Sequence, residues 1–164
     1  MHVSVYDCQS ARDFFASVRE AARDADRISH TIARMESREG VHGQSYSPVV
    51  HGGDHDARAA TDARMDYERR VHRRREDDYA LIDRACAVIY GADQTGHGGV
   101  SALMGPAYAD VLWWRYCAAE TWKAVAAGTG MSVRWCQCAA DAALDQIDSY
   151  GMGRMLDGKG MADE

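Results

Sequence analysis

Proline and lysine are scarce in this chain of 164 residues: it has two prolines, and only Lys123 and Lys159 among its 19 basic side chains are lysines. Few prolines, abundant alanine and few clusters of β-branched residues favour helices over strands. The chain lacks any run of about 20 apolar residues, which excludes a transmembrane helix. Its start lacks the basic and apolar regions of a signal peptide. We therefore expect an all-α, cytoplasmic protein that does not contact a membrane.

The charge balance is acidic, with a net charge of −6 and an isoelectric point of about 5.6. A protein that coats nucleic acid without selectivity is basic overall, so this class is excluded, whereas a local reading face is not. The five cysteines are an odd number in helix-like contexts, which indicates reduced thiols rather than a disulfide framework.

Residue patterns that carry catalysis are missing. No Ser/His/Asp or Cys/His nucleophile pattern is visible, and the GHGG at 96–99 is too short for a phosphate-binding loop. Cys136 and Cys138 are two residues apart on a predicted helix and so point about 200° apart, which keeps them from sharing a metal. Five side chains of metal-ligand type lack a recognised spacing and are interpreted as a polar loop: His42, His51, Asp54, His55 and Asp56. We expect no enzymatic activity, no cofactor and no metal.

Two long helices are predicted in the region 1–92. The first spans 11–38, with Ser10 as its cap and Asp13 completing an acidic variant of the capping box. A polar loop follows at 40–56, and the second helix runs from about Asp56 to Tyr90. Seven apolar residues of the first helix have coiled-coil spacing and are the predicted oligomerisation residues: Phe14, Val18, Ala21, Ala25, Ile28, Ile32 and Met35.

The pairing of these helices has two alternatives that the pattern does not separate: an antiparallel hairpin within one chain, or a homodimer through the coiled-coil spacing. The arginines 73–75 of the second helix are followed at once by the acids 76–78. Because this stretch is near neutral, it favours a solvated or salt-bridged face over a grip on a DNA backbone.

The second half of the chain predicts a linker, a compact helical domain and a tail. The linker spans 93–106 and includes a short helical piece at 100–104. The domain covers 107–150, and a flexible tail follows from 151 to 164. Within the domain we expect three helices with a glycine-containing turn: 107–118, 121–127 and 132–150.

The last two of these helices have the pattern of a helix-turn-helix. Thr121 and Ser132 are the expected caps, and Gly130 lies in the turn between them. Val125 and Ala126 can face small residues of the following helix, which lets the two helices cross closely. The predicted core of this unit comprises Tyr116, Trp122, Val125, Ala126, Cys136, Ala139, Ala143, Leu144 and Ile147.

The stretch from Tyr108 to Ile147 resembles the C-terminal part of phage and prophage transcription regulators of the ArpU type, which carry a helix-turn-helix like region 4 of sigma-70 factors. The residues that match are Leu112, Arg115, Tyr116, Thr121, Trp122, Val125, Ala126, Gly130, Ser132, Arg134, Trp135, Ala143 and Leu144. The resemblance is looser upstream, around Gly52, Gly53 and 62–71. It implies sequence-specific binding to double-stranded promoter DNA, with the last helix in the major groove.

Carried onto this chain, the resemblance assigns residues to bases and to phosphates. Arg134 is expected to contact guanine and Gln137 adenine. The expected DNA-binding residues are Arg115, Thr121, Lys123, Ser132, Val133, Arg134, Gln137, Cys138 and Asp141. From 107 to 150, however, the chain has three basic and five acidic residues, so a second subunit or a partner such as RNA polymerase is expected to assist binding.

Two other functions fit the same pattern. One is a helical protein–protein adaptor that has lost DNA binding, since fold does not fix function. The other is a DNA-packaging protein like a small terminase subunit, which also joins a helix-turn-helix to helical oligomerisation. The four tryptophans are of a type that can stack on single-stranded bases, but at helical spacing they favour core packing: Trp113, Trp114, Trp122 and Trp135.

Overall fold

A computed structural model describes residues 10–40 and 53–156, and the regular elements in these two ranges are all helical. The predicted all-α class is confirmed for this part of the chain. Seven α-helices occur there: α1 (Ala11–Gly40), α2 (Gly53–Tyr90), α3 (Gly99–Met104), α4 (Pro106–Leu112), α5 (Trp122–Thr129), α6 (Val133–Tyr150) and α7 (Met152–Leu156). None of the described helices is long and apolar enough to cross a membrane.

The chain divides into two compact units, and both long helices are shared between them. Among the described residues, unit 1 contains 10–23 and 78–156, and unit 2 contains 24–40 and 53–77. The division therefore does not follow the boundary at 92 that the sequence predicts. Its physical reason is the core of unit 1, in which the start of α1 and the end of α2 pack with the later helices. The fully buried large side chains of this core include Phe14, Phe15, Val18, Val88, Ile89, Leu112, Leu144 and Ile147.

Unit 2 pairs the remainder of the two long helices in antiparallel order. Arg74 donates to Asp24 at 2.9 Å, and Arg64 donates to Glu39 at 2.7 Å. Because the later acid on α1 pairs with the earlier arginine on α2, the two helices run in opposite directions. The central arginine of the 73–75 run thus forms a salt bridge between helices, as the sequence favours.

Most of the seven α1 residues with coiled-coil spacing pack into the core of the same chain. Phe14, Val18 and Ala21 are buried in unit 1, and Ala25 and Ile28 are buried in unit 2. Ile32 and Met35 are half-buried. The five buried side chains are not on the surface of the chain, so they are not positioned as an interface for a second copy.

Two stretches depart from the helices that the sequence predicts. The predicted helix 107–118 is α-helical only as far as Leu112, and Trp113–Cys117 form a turn of π-helix. Its ladder shifts to the wider spacing, with the N–H of Ala118 donating to the carbonyl of Trp113 at 3.0 Å. In the predicted tail, residues 152–156 form α7 because Met155 is buried at 2% exposure. The predicted polar loop at 40–56 is too long at its end, because 53–56 belong to α2, and residues 41–52 and 157–164 lie outside the described residues.

Candidate nucleic-acid interface

The segment from Thr121 to α6 has the two side-chain caps that the sequence predicts. The hydroxyl of Thr121 accepts from the N–H of Ala124 at 3.3 Å, and the hydroxyl of Ser132 accepts from the N–H of Trp135 at 3.1 Å. Gly130 ends α5 with a φ of 71°, a left-handed conformation that glycine adopts without strain. These three residues fix where α5 stops and where α6 begins.

Small buried side chains join α5 to α6. Val125, Cys136 and Ala143 are fully buried, and Ala139 is nearly so. The hydroxyl of Thr129 lies 3.5 Å from the sulfur of Cys136 and donates to the carbonyl of Val125 at 2.8 Å. The burial of these side chains agrees with the predicted contact face, and Cys136 is buried whereas Cys138 is exposed.

The first half of α6 presents a free outer face. Ser132, Arg134, Gln137 and Cys138 are exposed, and Val133 is 39% exposed. Residues three and four apart lie on one side of a helix, so Arg134, Gln137 and Cys138 share this face. Within the described residues, Arg134 forms no ion pair or side-chain hydrogen bond. Its guanidinium is therefore available to a partner outside the unit.

The rest of α6, from Asp141 onward, contacts the start of α1. Arg12 donates to Asp145 at 2.7 Å and to Asp141 at 3.5 Å. The carboxylate of Asp148 accepts from the N–H of Ala11 at 2.6 Å, and so satisfies one of the free amides at the beginning of α1. The carboxylate of Asp141, an expected DNA contact, is exposed and pairs with Arg12 on the surface of unit 1. The hydrogen bond and charge of Asp145, and to a smaller extent those of Asp141, raise the pKa of Arg12.

Sequence reasoning missed this contact between α1 and α6. Arg12 and Asp145 are 133 positions apart in the chain, and no local pattern joins them. One signal was present: Asp141, Asp145 and Asp148 recur at spacings of four and three, which places the three carboxylates on one side of α6. A helix face with three acids and no base on it indicates a cationic partner or a helix N-terminus nearby.

We expect Asp148→Ala to lower the free energy of unfolding by about 1 kcal/mol, because the N–H of Ala11 loses its acceptor. Chemical denaturation followed by circular dichroism measures the change. Asp148→Asn is the matched control, since its amide oxygen can still accept the hydrogen bond without the charge. A stability of Asp148→Ala equal to that of the wild type would show that the contact between Ala11 and Asp148 does not contribute.

Arg115 is the second expected DNA-binding residue whose position differs from the prediction. Its guanidinium donates to the carbonyl of Glu120 at 2.8 Å and lies 4.4 Å from the ring centre of Trp122. Burial lowers its pKa. Arg19 donates to the carbonyls of Arg115, Ala119 and Glu120, so the two arginines together hold the loop before α5. Arg115 therefore positions this loop, whereas Lys123 and Thr121 are exposed as a phosphate contact requires.

The four tryptophans pack against the core of unit 1. Trp135 lies 5.4 Å from Tyr108, and Trp113 stacks edge-on against Trp114 at 5.5 Å between ring centres. All four are half-buried. The geometry favours packing over stacking platforms for single-stranded bases.

Metal-ligating side chains are not grouped in the described part of the chain, where no cluster of three or more occurs. Cys136 and Cys138 lie on different sides of α6, as their spacing requires. The sites of His42 and His51 lie outside the described residues, and the side chains of Asp54, His55 and Asp56 are also outside them.

Comparison with protein-family models, with curated proteins and with solved structures found no match to this chain.

Proposed function

We propose that this protein is a transcription regulator that binds double-stranded DNA in a sequence-specific manner. The first half of α6 enters the major groove. Arg134 donates two hydrogen bonds to a guanine, and Gln137 pairs with an adenine. Lys123 and the two capped helix starts, at Thr121 and Ser132, contact phosphates on either side.

The observation that supports this proposal is a difference between the two ends of α6: the N-terminal end has exposed side chains that are unpaired in the described part of the chain, whereas the carboxylates further along contact the start of α1. Recognition helices contact bases with the residues near their N-terminus. In this chain the exposed side chains of Arg134 and Gln137 have no hydrogen-bond or ion-pair partner within the described residues. The carboxylates of the other half are held by the start of α1. An exposed reading half on a fixed second half is the arrangement that a groove-binding helix needs.

The contact with α1 also compensates part of the negative charge of the segment 107–150. Three of the five acids between 107 and 150 are Asp141, Asp145 and Asp148. Arg12 faces the first two, and the positive end of the α1 dipole faces the third. The first eight residues of α6, 133–140, contain Arg134 and no acid. The repulsion that a DNA backbone meets at α6 is therefore smaller than the residue count from 107 to 150 indicates.

The resemblance to ArpU-type regulators supports the same proposal and extends it. It favours a promoter of phage or prophage type as the target and RNA polymerase as a protein partner. A second subunit would add phosphate contacts, and its interface would have to use surfaces other than the buried residues of α1.

Selection from a pool of double-stranded oligonucleotides with a randomised 20-base-pair segment tests the proposal. We expect enrichment of one short motif, and an affinity for it that falls as salt rises, because phosphate contacts release counterions. A pool that stays random over repeated rounds at low salt, with the protein folded by circular dichroism, would overturn DNA reading. A helical protein–protein adaptor would then be the better description.

A further inference from the structure

We propose that Val133 contacts the methyl group of a thymine, and that the DNA site therefore contains a required thymine beside the bases read by Gln137 and Arg134. This inference rests on the proposed function and specifies the base sequence that the site takes. It also assigns a role to the first residue of α6, which is apolar at a position open to solvent.

Exposure of large apolar side chains is uncommon in the described residues and is concentrated next to the Ser132 cap. In the described residues as a whole, four large apolar side chains are exposed: Met65, Tyr79, Met131 and Val133. Met131 and Val133, at 42% and 39% exposure, lie on either side of Ser132. Single exposed apolar residues need no explanation. Two that bracket the start of a proposed reading helix supply an apolar contact surface at the point where bases are met.

Helical spacing sorts the free side chains of α6 into two rows. Val133 and Gln137 are four residues apart and form one row, and Arg134 and Cys138 form the other. Four residues correspond to about 6 Å along a helix axis. That distance is close to two base-pair steps of about 3.4 Å each. The first row therefore pairs an apolar contact with an amide that suits adenine, and the second contains the guanidinium that suits guanine.

Thymine is the base whose chemistry fits Val133. It is the unmodified base that presents a methyl group in the major groove, and apolar side chains recognise it by contact with that group. The minor-groove edges of A·T pairs show only acceptors. A requirement for the thymine methyl thus also places α6 in the major groove rather than the minor groove.

The test uses the enriched oligonucleotide from the random pool and replaces each thymine in turn by deoxyuridine, which lacks only the methyl. We expect one position to lower the affinity of the wild type about three- to fivefold, the effect of removing one buried methyl. At that position Val133→Ala, which removes the two methyl groups that reach furthest from the helix, should show a smaller difference in affinity between the thymine and uracil forms than the wild type. Ala142→Ser, an exposed substitution further along α6, is the matched control and should retain the wild-type preference.

The outcomes separate this inference from the proposed function. If a motif is enriched but no thymine is sensitive to loss of its methyl, or Val133→Ala keeps the sensitivity, the role of Val133 is wrong and DNA reading stands. If no motif is enriched, both are wrong. Replacing the sensitive T·A pair by a pair of 5-methylcytosine with guanine retains the methyl in the major groove, and tighter binding than to the same pair with unmodified cytosine supports contact with the methyl.

Discussion

Gly99→Ala is expected to lower the free energy of unfolding by at least about 3 kcal/mol, the range of a backbone clash combined with strain. Gly99 is the first residue of α3 and has a φ of 61°. A β-carbon there would lie against the carbonyl oxygen of Val88 and 2.8 Å from the backbone nitrogen of Gly91. Both contacts are with backbone atoms at the end of α2, which cannot move aside as a flexible side chain can.

The expected shift in melting temperature is about 6–12 °C downward for a chain of this size. Thermal unfolding followed by circular dichroism measures it. Gly153→Ala is the matched control, because a β-carbon there meets nothing within 4 Å and its φ is not positive. Alanine is the better helix former, so this control should leave the stability equal or slightly higher. Equal melting of Gly99→Ala and wild type would show that α3 can start without this close approach.

The close approach gives the glycines at 96–99 a structural role. Gly98 approaches the α-carbon of Gly91, and Gly99 approaches the last turn of α2. The sequence predicts that this stretch is too short for a phosphate-binding loop. It does not indicate that the end of α2 and the start of α3 pack backbone to backbone, because that contact depends on how the two helices are placed.

Local patterns predict the elements of this protein well because their causes are local. The hydroxyls of Ser10, Thr121 and Ser132 each accept a hydrogen bond from an amide three residues further on, so the side chain and its partner lie in one short stretch of sequence. The same holds for the turn at Gly130. The buried face of α6 follows from its apolar spacing alone.

The features that sequence reasoning missed depend on residues far apart in the chain. The coiled-coil spacing of α1 correctly marks apolar positions, but it cannot say whether the partner is a second copy or the rest of the same chain. Phe14 and Val18 belong to the core of unit 1, and Ala25 and Ile28 belong to unit 2. The placement of Arg115 likewise depends on its contacts with the carbonyl of Glu120 and the ring of Trp122, which no local sequence pattern indicates.

We expect Arg134→Ala to weaken binding to the enriched motif about tenfold to a hundredfold, the range for losing one bidentate contact to guanine. Arg134 is exposed, is the second residue of α6, and has no side-chain partner in the described residues. Its removal should therefore leave the free energy of unfolding near the wild-type value. Fluorescence anisotropy with the motif, and with the same motif changed at its guanine, measures both affinity and discrimination.

Two controls separate base reading by Arg134 from its charge. Arg34→Ala removes the same charge from an exposed position in unit 2 and should lower affinity little, and equally for both oligonucleotides. Arg134→Lys retains the charge but cannot form the two parallel hydrogen bonds, so it should recover non-specific binding without restoring the preference for guanine. If Arg134→Ala instead weakened all sequences equally, Arg134 would be a phosphate contact. The specificity would then have to come from Gln137 and Val133, the other free side chains at the start of α6.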